Sequence, residues 1–220
     1  MDAIISSLNF LAVFMQEGGI FMWVILIPLL FGLSIALERC IRFYVYDSDG
    51  ASLLSEIQKY VLSGDVKDAI RVCSNSKALL PRIVMNGLKR ANEPIHHIQN
   101  ALDATTLEVI PKIEKRLGYL GLLANIATLL GLLGTIQGLI ETFQALGAAD
   151  PAHKAVILSS GIAKAMNTTA LGLVTAIVIM IFSSILNAKA EKIIAEIDEF
   201  SSKLLDLLST KKIINKENQD

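Results

Sequence analysis

Hydroxyl and amide side chains are clustered in two apolar segments of this chain, where they could line a polar passage. The residues concerned are Thr128, Thr135 and Thr142 in the first segment and Asn167, Thr168 and Thr169 in the second. The threonines of the first segment recur every seven residues, close to two helical turns, so they lie near one face. Such faces predict a narrow ion path or a surface around a foreign helix. The alternative for any single threonine is a structural hydrogen bond back to the carbonyl one turn earlier.

Lys164 adds a charge to the second of these segments. It is the only charged residue between positions 161 and 188. A cation at the centre of a bilayer costs roughly 2.5–3.5 kcal/mol on insertion scales. This cost persists only where the side chain reaches water, meets an acidic group or lies near the membrane edge. Thr168 and Gly172 follow Lys164 at steps of four residues, so Lys164 belongs to the same helical stripe.

Small residues on the same faces predict close packing of helices. The glycines assigned to this role are Gly131, Gly134, Gly138 and Gly172. Gly134 and Gly138 are four residues apart, which is the small-xxx-small spacing that lets another helix approach closely within a membrane. The two apolar segments therefore each offer a small, hydroxyl-rich face.

Three long apolar segments are needed to position these residues. Uncharged runs cover residues 18–37 and 117–140, and the segment 161–188 carries only the one lysine. About twenty apolar residues span the roughly 30 Å hydrocarbon layer as a helix. No lysine or arginine precedes Trp23, so the first run is predicted to be a retained span and not a cleaved signal peptide. The sequence predicts an all-α integral membrane protein with three transmembrane helices.

Charge asymmetry predicts the orientation of these spans. Residues 38–116 carry twelve lysines and arginines, residues 1–17 carry none, and the segment between the second and third spans carries one. Basic residues collect on the cytoplasmic side of a membrane. The predicted segments are an N-terminal periplasmic segment (1–17), a first span (18–38), a cytoplasmic helical domain (39–116), a second span (117–141), a periplasmic loop (142–160), a third span (161–188) and a cytoplasmic C-terminal helix and tail (189–220).

Helical patterns continue through the predicted cytoplasmic parts. Apolar spacing and turn residues predict helices over 51–62, 66–73 and 79–91, and a long helix from Ile95 that runs without interruption into the second span, with a kink or local adjustment at Pro111. After the third span, an apolar stripe is predicted to face other helices. Its members are Ile193, Ile197, Phe200, Leu204 and Leu208.

The sequence gives no indication of enzyme chemistry. It contains no glycine-rich phosphate loop, no Ser/His/Asp set and no plausible metal-ligand cluster. The net charge of −1 gives no reason to expect nucleic-acid binding, which normally needs a basic excess. Cys40 and Cys73 are predicted to be free thiols on the cytoplasmic side. We therefore predict no cofactor, no metal and no catalytic activity, so any work must draw its energy from the membrane.

Two motifs resemble the MotA/TolQ/ExbB proton channel family, in particular its ExbB and TolQ branch. They are GLLGTIQGLIETF at 131–143 and GIAKAMNTTALGLVTAI at 161–177. The resemblance covers nearly the whole chain. It implies a homo-oligomeric, pentameric ring with long cytoplasmic helical extensions, closed around single-span partner subunits of the ExbD/TolR kind. In this family an aspartate on the partner helix takes up and releases protons, and Thr135 and Thr169 match the threonines expected to face that helix.

This chain departs from the family pattern at Lys164, where many ExbB and TolQ proteins have glutamate. A proline near the inner end of the third span is also absent. Two hypotheses for Lys164 stay open: it reaches the outer mouth, with Glu141 or water nearby, or it faces the lumen and pairs with a partner carboxylate. Either way, the partner aspartate is left as the only obvious titrating site.

The resemblance and the residues together predict a ring-forming stator or channel subunit of a proton-driven motor in the bacterial inner membrane. The predicted pathway and partner-facing residues are Thr135 and Thr169 first, then Thr168, Asn167, Lys164 and Thr128. H⁺ is favoured over Na⁺, because sodium needs several oxygen ligands and a nearby ammonium opposes it. The alternatives are a membrane scaffold that passes no ions and a channel that needs no partner.

Overall fold

The computed structural model describes residues 14–16, 18–46, 50–63, 65–74 and 78–217. Its helices are α1 (Ile20–Tyr46), α2 (Gly50–Ser63), α3 (Val66–Ser74), α4 (Leu79–Leu88), α5 (Ile95–Glu114), α6 (Leu117–Ala148) and α7 (Lys154–Glu217). No strand occurs within these described ranges. The all-α prediction is confirmed. Most of the predicted N-terminal periplasmic segment (1–17) and the polar breaks at 47–49 and 64 lie outside the described residues.

Three helical stretches are long and apolar enough to cross a membrane. They cover Ile20–Tyr46, Ile95–Ala148 and Lys154–Thr210. In the apolar window of each stretch, 28% of the residues are buried within the chain. The remaining apolar side chains face outward, which suits lipid or neighbouring subunits better than water. The prediction of three candidate spans is confirmed.

The chain divides into two compact units. The first, here called the threonine unit, comprises Met1–Leu37 and Arg116–Ile185. Its α6 buries one stripe at steps of three and four residues, which is one face of a helix. The buried stripe consists of Leu117, Leu120, Ala124, Ala127, Gly131, Gly134, Gly138 and Thr142. Because most of these side chains are small, a neighbouring helix can approach this face closely.

The second unit, here called the bundle unit, comprises Glu38–Lys115 and Leu186–Asp220. Its core contains Ile57 and Val61 of α2, Ile83 and Val84 of α4, and Ile98, Leu102, Val109 and Ile113 of α5. The stripe predicted on α7 is confirmed, because Ile193, Ile197, Phe200, Leu204 and Leu208 are all buried. A Cβ built on Gly87 would lie 2.7 Å from Leu102 Cδ2 and 3.4 Å from Leu204 Cδ2, so α4, α5 and α7 meet at this glycine.

The prediction of an uninterrupted helix from Ile95 into the second span is wrong. Helix α5 ends at Glu114 and α6 begins at Leu117. Between them Arg116 has a φ of 67°, a left-handed conformation that costs a non-glycine residue roughly 1–2 kcal/mol. Pro111 lies inside α5 and not at the break. The interruption therefore depends on contacts that the local sequence does not reveal.

Two further boundaries differ from the predictions. Helix α4 ends at Leu88, where the prediction extended to residue 91, and short i→i−3 hydrogen bonds follow it. Helix α6 continues to Ala148 and α7 starts at Lys154, so only 149–153 are non-helical in the predicted periplasmic loop (142–160). Both spans are thus extended by further helical turns. Where the membrane ends along these helices stays a prediction.

Arg39 supplies a long-range contact at the end of α5. Its side chain is completely buried, and Nη1 donates a hydrogen bond to the carbonyl of Lys112 at 3.2 Å. Nη2 also lies 3.5 Å from Glu38 Oε1. Because α5 stops two residues after Lys112, carbonyls of its last turn have no following helical N–H. Arg39 therefore stabilises the end of α5 from a position 73 residues away.

Replacing Arg39 with methionine is expected to lower the free energy of unfolding by about 1–3 kcal/mol, because the part-buried Lys112 carbonyl loses its donor. Arg42→Met is the matched control, since Arg42 is half exposed and pairs with the same Glu38 at 2.7 Å. An exposed pair of this kind contributes at most about 1 kcal/mol. Thermal unfolding in detergent measures both variants, and equal losses would contradict the role of Arg39.

The two cysteines differ in accessibility. Both are free thiols, as predicted, with Cys40 exposed and Cys73 buried. Burial is the largest influence on the Cys73 thiol and raises its pKa to about 11 from an ordinary 9.0. The unfolded chain therefore loses this proton at lower pH than the folded chain does. Folding stability should fall as the pH rises from about 9 toward 11.

At pH 8, iodoacetamide is expected to label one thiol per folded chain, because only a thiolate reacts readily and Cys73 stays protonated and covered. Mass spectrometry of the intact protein counts the adducts. Cys40→Ser should abolish labelling of the folded chain, and a denaturant should restore one adduct at Cys73. Rapid labelling of Cys73 without denaturant would contradict its burial.

Candidate ion-pathway site

Glycines and alanines bring α6 and α7 into direct backbone contact. A Cβ built on Gly172 would lie 2.8 Å from the Ala127 carbonyl oxygen and 2.9 Å from Gly131 Cα. One built on Gly138 would lie 3.1 Å from the Cβ of Ala165. Real Cβ atoms do not approach backbone atoms at the first two distances, so Gly172 is required for this packing. The contacts pair increasing positions on α6 with decreasing positions on α7, so the helices are antiparallel.

Gly134 brings a hydroxyl residue into the same contact. A Cβ built there would lie 2.8 Å from both Cβ and Oγ1 of Thr168, and 3.1 Å from Phe21 Cβ of α1. Thr168 is buried, and its hydroxyl donates to the Ala165 carbonyl at 2.7 Å. The glycines predicted for packing thus lie in the contact between α6 and α7, and Gly134 also approaches α1.

Thr135 and Thr169 touch each other across the two helices. Their hydroxyl oxygens are in hydrogen-bond contact, and either can be the donor. The Gly131 carbonyl lies 3.2 Å from the Thr135 hydroxyl and 3.1 Å from the Thr169 hydroxyl, so it can accept from either. Both side chains are half-buried. This hydroxyl pair is a polar spot that bridges α6 and α7 and remains partly accessible from outside the chain.

The other predicted site residues are placed differently. Thr128 is exposed and donates to the Ala124 carbonyl at 3.2 Å, and Thr142 is buried and donates to the Gly138 carbonyl at 2.6 Å. Both bonds run back one turn, which is the structural alternative for threonines in helices. Asn167 is half-buried, two residues before Thr169. The cross-helix hydroxyl contact distinguishes Thr135 and Thr169 from these residues.

Lys164 forms an ion pair within the chain. Its Nζ lies 2.7 Å from Glu141 Oε2, and Gln137 Nε2 donates to the other carboxylate oxygen at 3.2 Å. Glu141 is the acidic group that the first hypothesis for Lys164 names. A cation with a bonded carboxylate costs much less in an apolar segment than an isolated one. Any further action of Lys164 on a partner stays a prediction.

Sequence reasoning missed two residues around this ion pair. Gln137 was not distinguished from other polar helix residues. Gly19 has a φ of +75°, and a Cβ built on it would lie 2.8 Å from Lys164 Cε. A glycine directly before an apolar run was the available signal, but only the fold shows that the lysine side chain lies over it.

A sequence model of the MotA/TolQ/ExbB proton channel family matches residues 75–199, which is more than half of the chain and includes both threonine motifs. The chain belongs to this family. The relationship agrees with the resemblance of the two motifs and with the three apolar helices. The protein is therefore a multi-pass membrane protein of the ExbB-like kind.

Individual members of the MotA/TolQ/ExbB family are distant in sequence. A biopolymer transport protein ExbB homolog from Methanothermobacter thermautotrophicus is 25% identical over 202 residues, covering 90% of this chain and 70% of the relative. ExbB-like 1 from Synechocystis is 26% identical over 186 residues, covering 80% and 70%. ExbB-like 1 from Helicobacter pylori is 30% identical over 132 residues, covering 60% and 67%. The similarity to the first of these extends along most of both chains.

Proposed function

We propose that this chain is the ring-forming stator and channel subunit of an inner-membrane motor driven by the proton-motive force. It works with a single-span partner of the ExbD/TolR kind, which carries an intramembrane aspartate. The relatives named as biopolymer transport proteins support a role in energising transport or another envelope process. The chain itself supplies the scaffold and the wall of the pathway.

The contact between the Thr135 and Thr169 hydroxyls is the observation that carries this proposal. It lies between two apolar helices, within the segment that the family model matches, and by resemblance Thr135 and Thr169 correspond to the threonines expected to face the partner helix. The two hydroxyls can donate to or accept from a carboxyl group, and the Gly131 carbonyl can accept from a protonated one. A carboxyl on a foreign helix would therefore find hydrogen-bond partners in both protonation states. Thr168, Asn167 and Thr128 are assigned secondary roles nearby.

Exposed apolar surface supports assembly into a ring, which we assign as a pentamer from the family resemblance. The large side chains that face outward on the spans include Trp23, Phe31, Leu129, Phe143 and Ile185. Such surface must be covered by lipid or by further copies. Closure of several copies would turn one hydroxyl pair per subunit toward a common axis. The partner helices would occupy that axis.

Charge distribution supports the proposed orientation. Twelve basic residues in 38–116 favour the cytoplasm for that segment, and we assign the N-terminus and the 142–160 segment to the periplasm. The proposed ion is H⁺. Na⁺ needs several oxygen ligands in one cage, and the Lys164 ammonium beside Glu141 competes with any cation for that carboxylate.

Reconstitution into liposomes tests the proposed function. The protein is incorporated alone or with its ExbD/TolR-like partner, a proton gradient is imposed, and a pH-sensitive dye trapped inside reports flux. Flux that requires the partner is expected. Flux without the partner would instead support a self-sufficient channel, and no flux with the co-purified partner would support a scaffold. A partner variant with asparagine in place of its intramembrane aspartate is the matched control and should abolish flux.

A further inference from the structure

Three segments of the threonine unit converge at Lys164. Glu141 lies on α6, Lys164 on α7, and Gly19 directly precedes α1. The lysine side chain passes over the backbone of Gly19, where a Cβ would lie 2.8 Å from Cε and 3.3 Å from Nζ. Any side chain at position 19 would collide with it and would also strain the left-handed backbone. The absence of a side chain at Gly19 therefore leaves the space through which the Lys164 side chain reaches Glu141.

Both oxygens of the Glu141 carboxylate are engaged by this chain. Lys164 Nζ bonds to Oε2 at 2.7 Å, and Gln137 Nε2 donates to Oε1 at 3.2 Å. The two side chains of the ion pair are each more than a third exposed in the chain, at 38% for Lys164 and 46% for Glu141. The pair therefore lies at the surface of the threonine unit, where an unpaired charge of either sign would act on a neighbouring helix.

The ion pair lies close to the hydroxyl pair. Lys164 precedes Thr169 by five residues and Glu141 follows Thr135 by six, so the two contacts are separated by about 7.5–9 Å along the antiparallel helices. An uncompensated charge at this distance acts strongly on an ionisable group where water is excluded. Glu141 and Lys164 are the charged groups that α6 and α7 bring together here, and residues 18–37, which contain Gly19 and most of α1, carry no charged side chain.

We propose that Lys164 is a positioning residue, whose ion pair with Glu141 fixes α6 against α7 at the hydroxyl pair and keeps the electric charge beside the proton path at zero. This inference rests on the proposed function for its effect on protons. The ammonium acts within its own chain, because Glu141 and Gly19 hold it there. The positive charge of Lys164 is thus compensated by a carboxylate on the neighbouring helix.

The two single variants leave unpaired charges of opposite sign, so they are expected to shift the pH dependence of proton flux in opposite directions. Lys164→Met leaves the Glu141 carboxylate, which makes a nearby carboxyl group harder to ionise, so the midpoint of the flux-against-pH curve moves to higher pH. Glu141→Gln leaves the ammonium, so that midpoint moves to lower pH. Each shift is expected to be about one pH unit. The double variant Lys164→Met/Glu141→Gln returns the midpoint to that of the unaltered protein.

The charge swap Lys164→Glu/Glu141→Lys separates positioning from charge alone. It restores the pair with exchanged partners, and we expect it to recover at least half of the flux lost in the worse single variant. Lys154→Met, which removes a lysine at the start of α7 about 15 Å along the helix, is the matched control and should leave the curve unchanged. Shifts of the two single variants in the same direction, or a swap no better than either single variant, would overturn the proposal.

A second measurement, of stability, tests the Lys164–Glu141 pair independently of whether the protein conducts protons. Thermal unfolding of the purified protein in detergent is followed for the two single variants and the swap. A swap variant that is more stable than both single variants supports the ion pair. This result holds even if neither the variants nor the unaltered protein conduct protons. A swap whose melting temperature falls by the sum of the two single losses would refute the pair on structural grounds alone.

Discussion

Replacing Thr169 with valine is expected to lower partner-dependent proton flux on the order of 100-fold, the loss typical of a preorganised hydrogen-bond donor removed from a reacting site. Valine keeps the branched shape but removes the oxygen that touches the Thr135 hydroxyl and donates to the Gly131 carbonyl at 3.1 Å. Thr169→Ser keeps the oxygen and should retain most of the flux. Thr135→Val should lose a similar amount, because the two hydroxyls act as one unit. The liposome assay with the partner present measures all three.

Ser34→Ala provides a hydroxyl control for these variants. The Ser34 hydroxyl bonds back to the Leu30 carbonyl at 2.7 Å on α1 and is exposed, so its removal should change flux by less than about twofold. Additivity gives a further check. If the two threonines form one site, the double variant Thr135→Val/Thr169→Val is little worse than either single variant. Full flux in Thr169→Val would remove the hydroxyl pair from the pathway.

Replacing Gly172 with alanine is expected to destabilise the packing of α6 on α7 by about 1–3 kcal/mol, the usual cost of overpacking a close contact. The new Cβ would lie 2.8 Å from the Ala127 carbonyl oxygen and 2.9 Å from Gly131 Cα. Both neighbours are backbone atoms, so the helices must move apart. Thr169 lies three residues away, and its contact with Thr135 should lengthen. Lower resistance to detergent unfolding and reduced flux are therefore expected together.

Gly121→Ala is the matched control for Gly172→Ala. Gly121 lies on α6, and a Cβ built there meets nothing within 4 Å in the chain. Alanine is a better helix former than glycine, so this variant should gain up to about 1 kcal/mol. The same chemical change therefore has opposite expected signs at two positions. A Gly172→Ala protein as stable as Gly121→Ala would contradict the close helix contact.

The residues of this site illustrate what periodicity can predict. The spacing of threonines and glycines indicated which faces of α6 and α7 carry small and hydroxyl side chains. It left open whether each hydroxyl bonds within its own helix, and both outcomes occur: Thr128 and Thr142 bond back one turn, whereas Thr135 also reaches Thr169. The choice depends on the register between two helices, and positions 34 residues apart in the chain carry no local signal for it.

Lys164 and Arg116 also separate what the sequence predicts from what only the fold shows. An isolated lysine among apolar residues required compensation, and Glu141 was one candidate, but the bonded geometry and the cover by Gly19 came only from the fold. The break at Arg116 was not expected at all. Its neighbouring helix end is held by Arg39, a residue 73 positions from the carbonyl that it binds.

By itself the sequence determined the helical class, the three apolar spans, the buried stripe of α7 and the membership of a proton-channel family. These properties follow from hydrophobic length, from the 3.6-residue period and from local motifs, each of which acts over a few turns of chain. The tertiary structure alone decided the break before α6, the contact of Thr135 with Thr169 and the pairing of Lys164 with Glu141. The physical reason is that the register between two helices depends on where small residues allow their backbones to approach. This depends on the sequences of both helices together and cannot be read from either one alone.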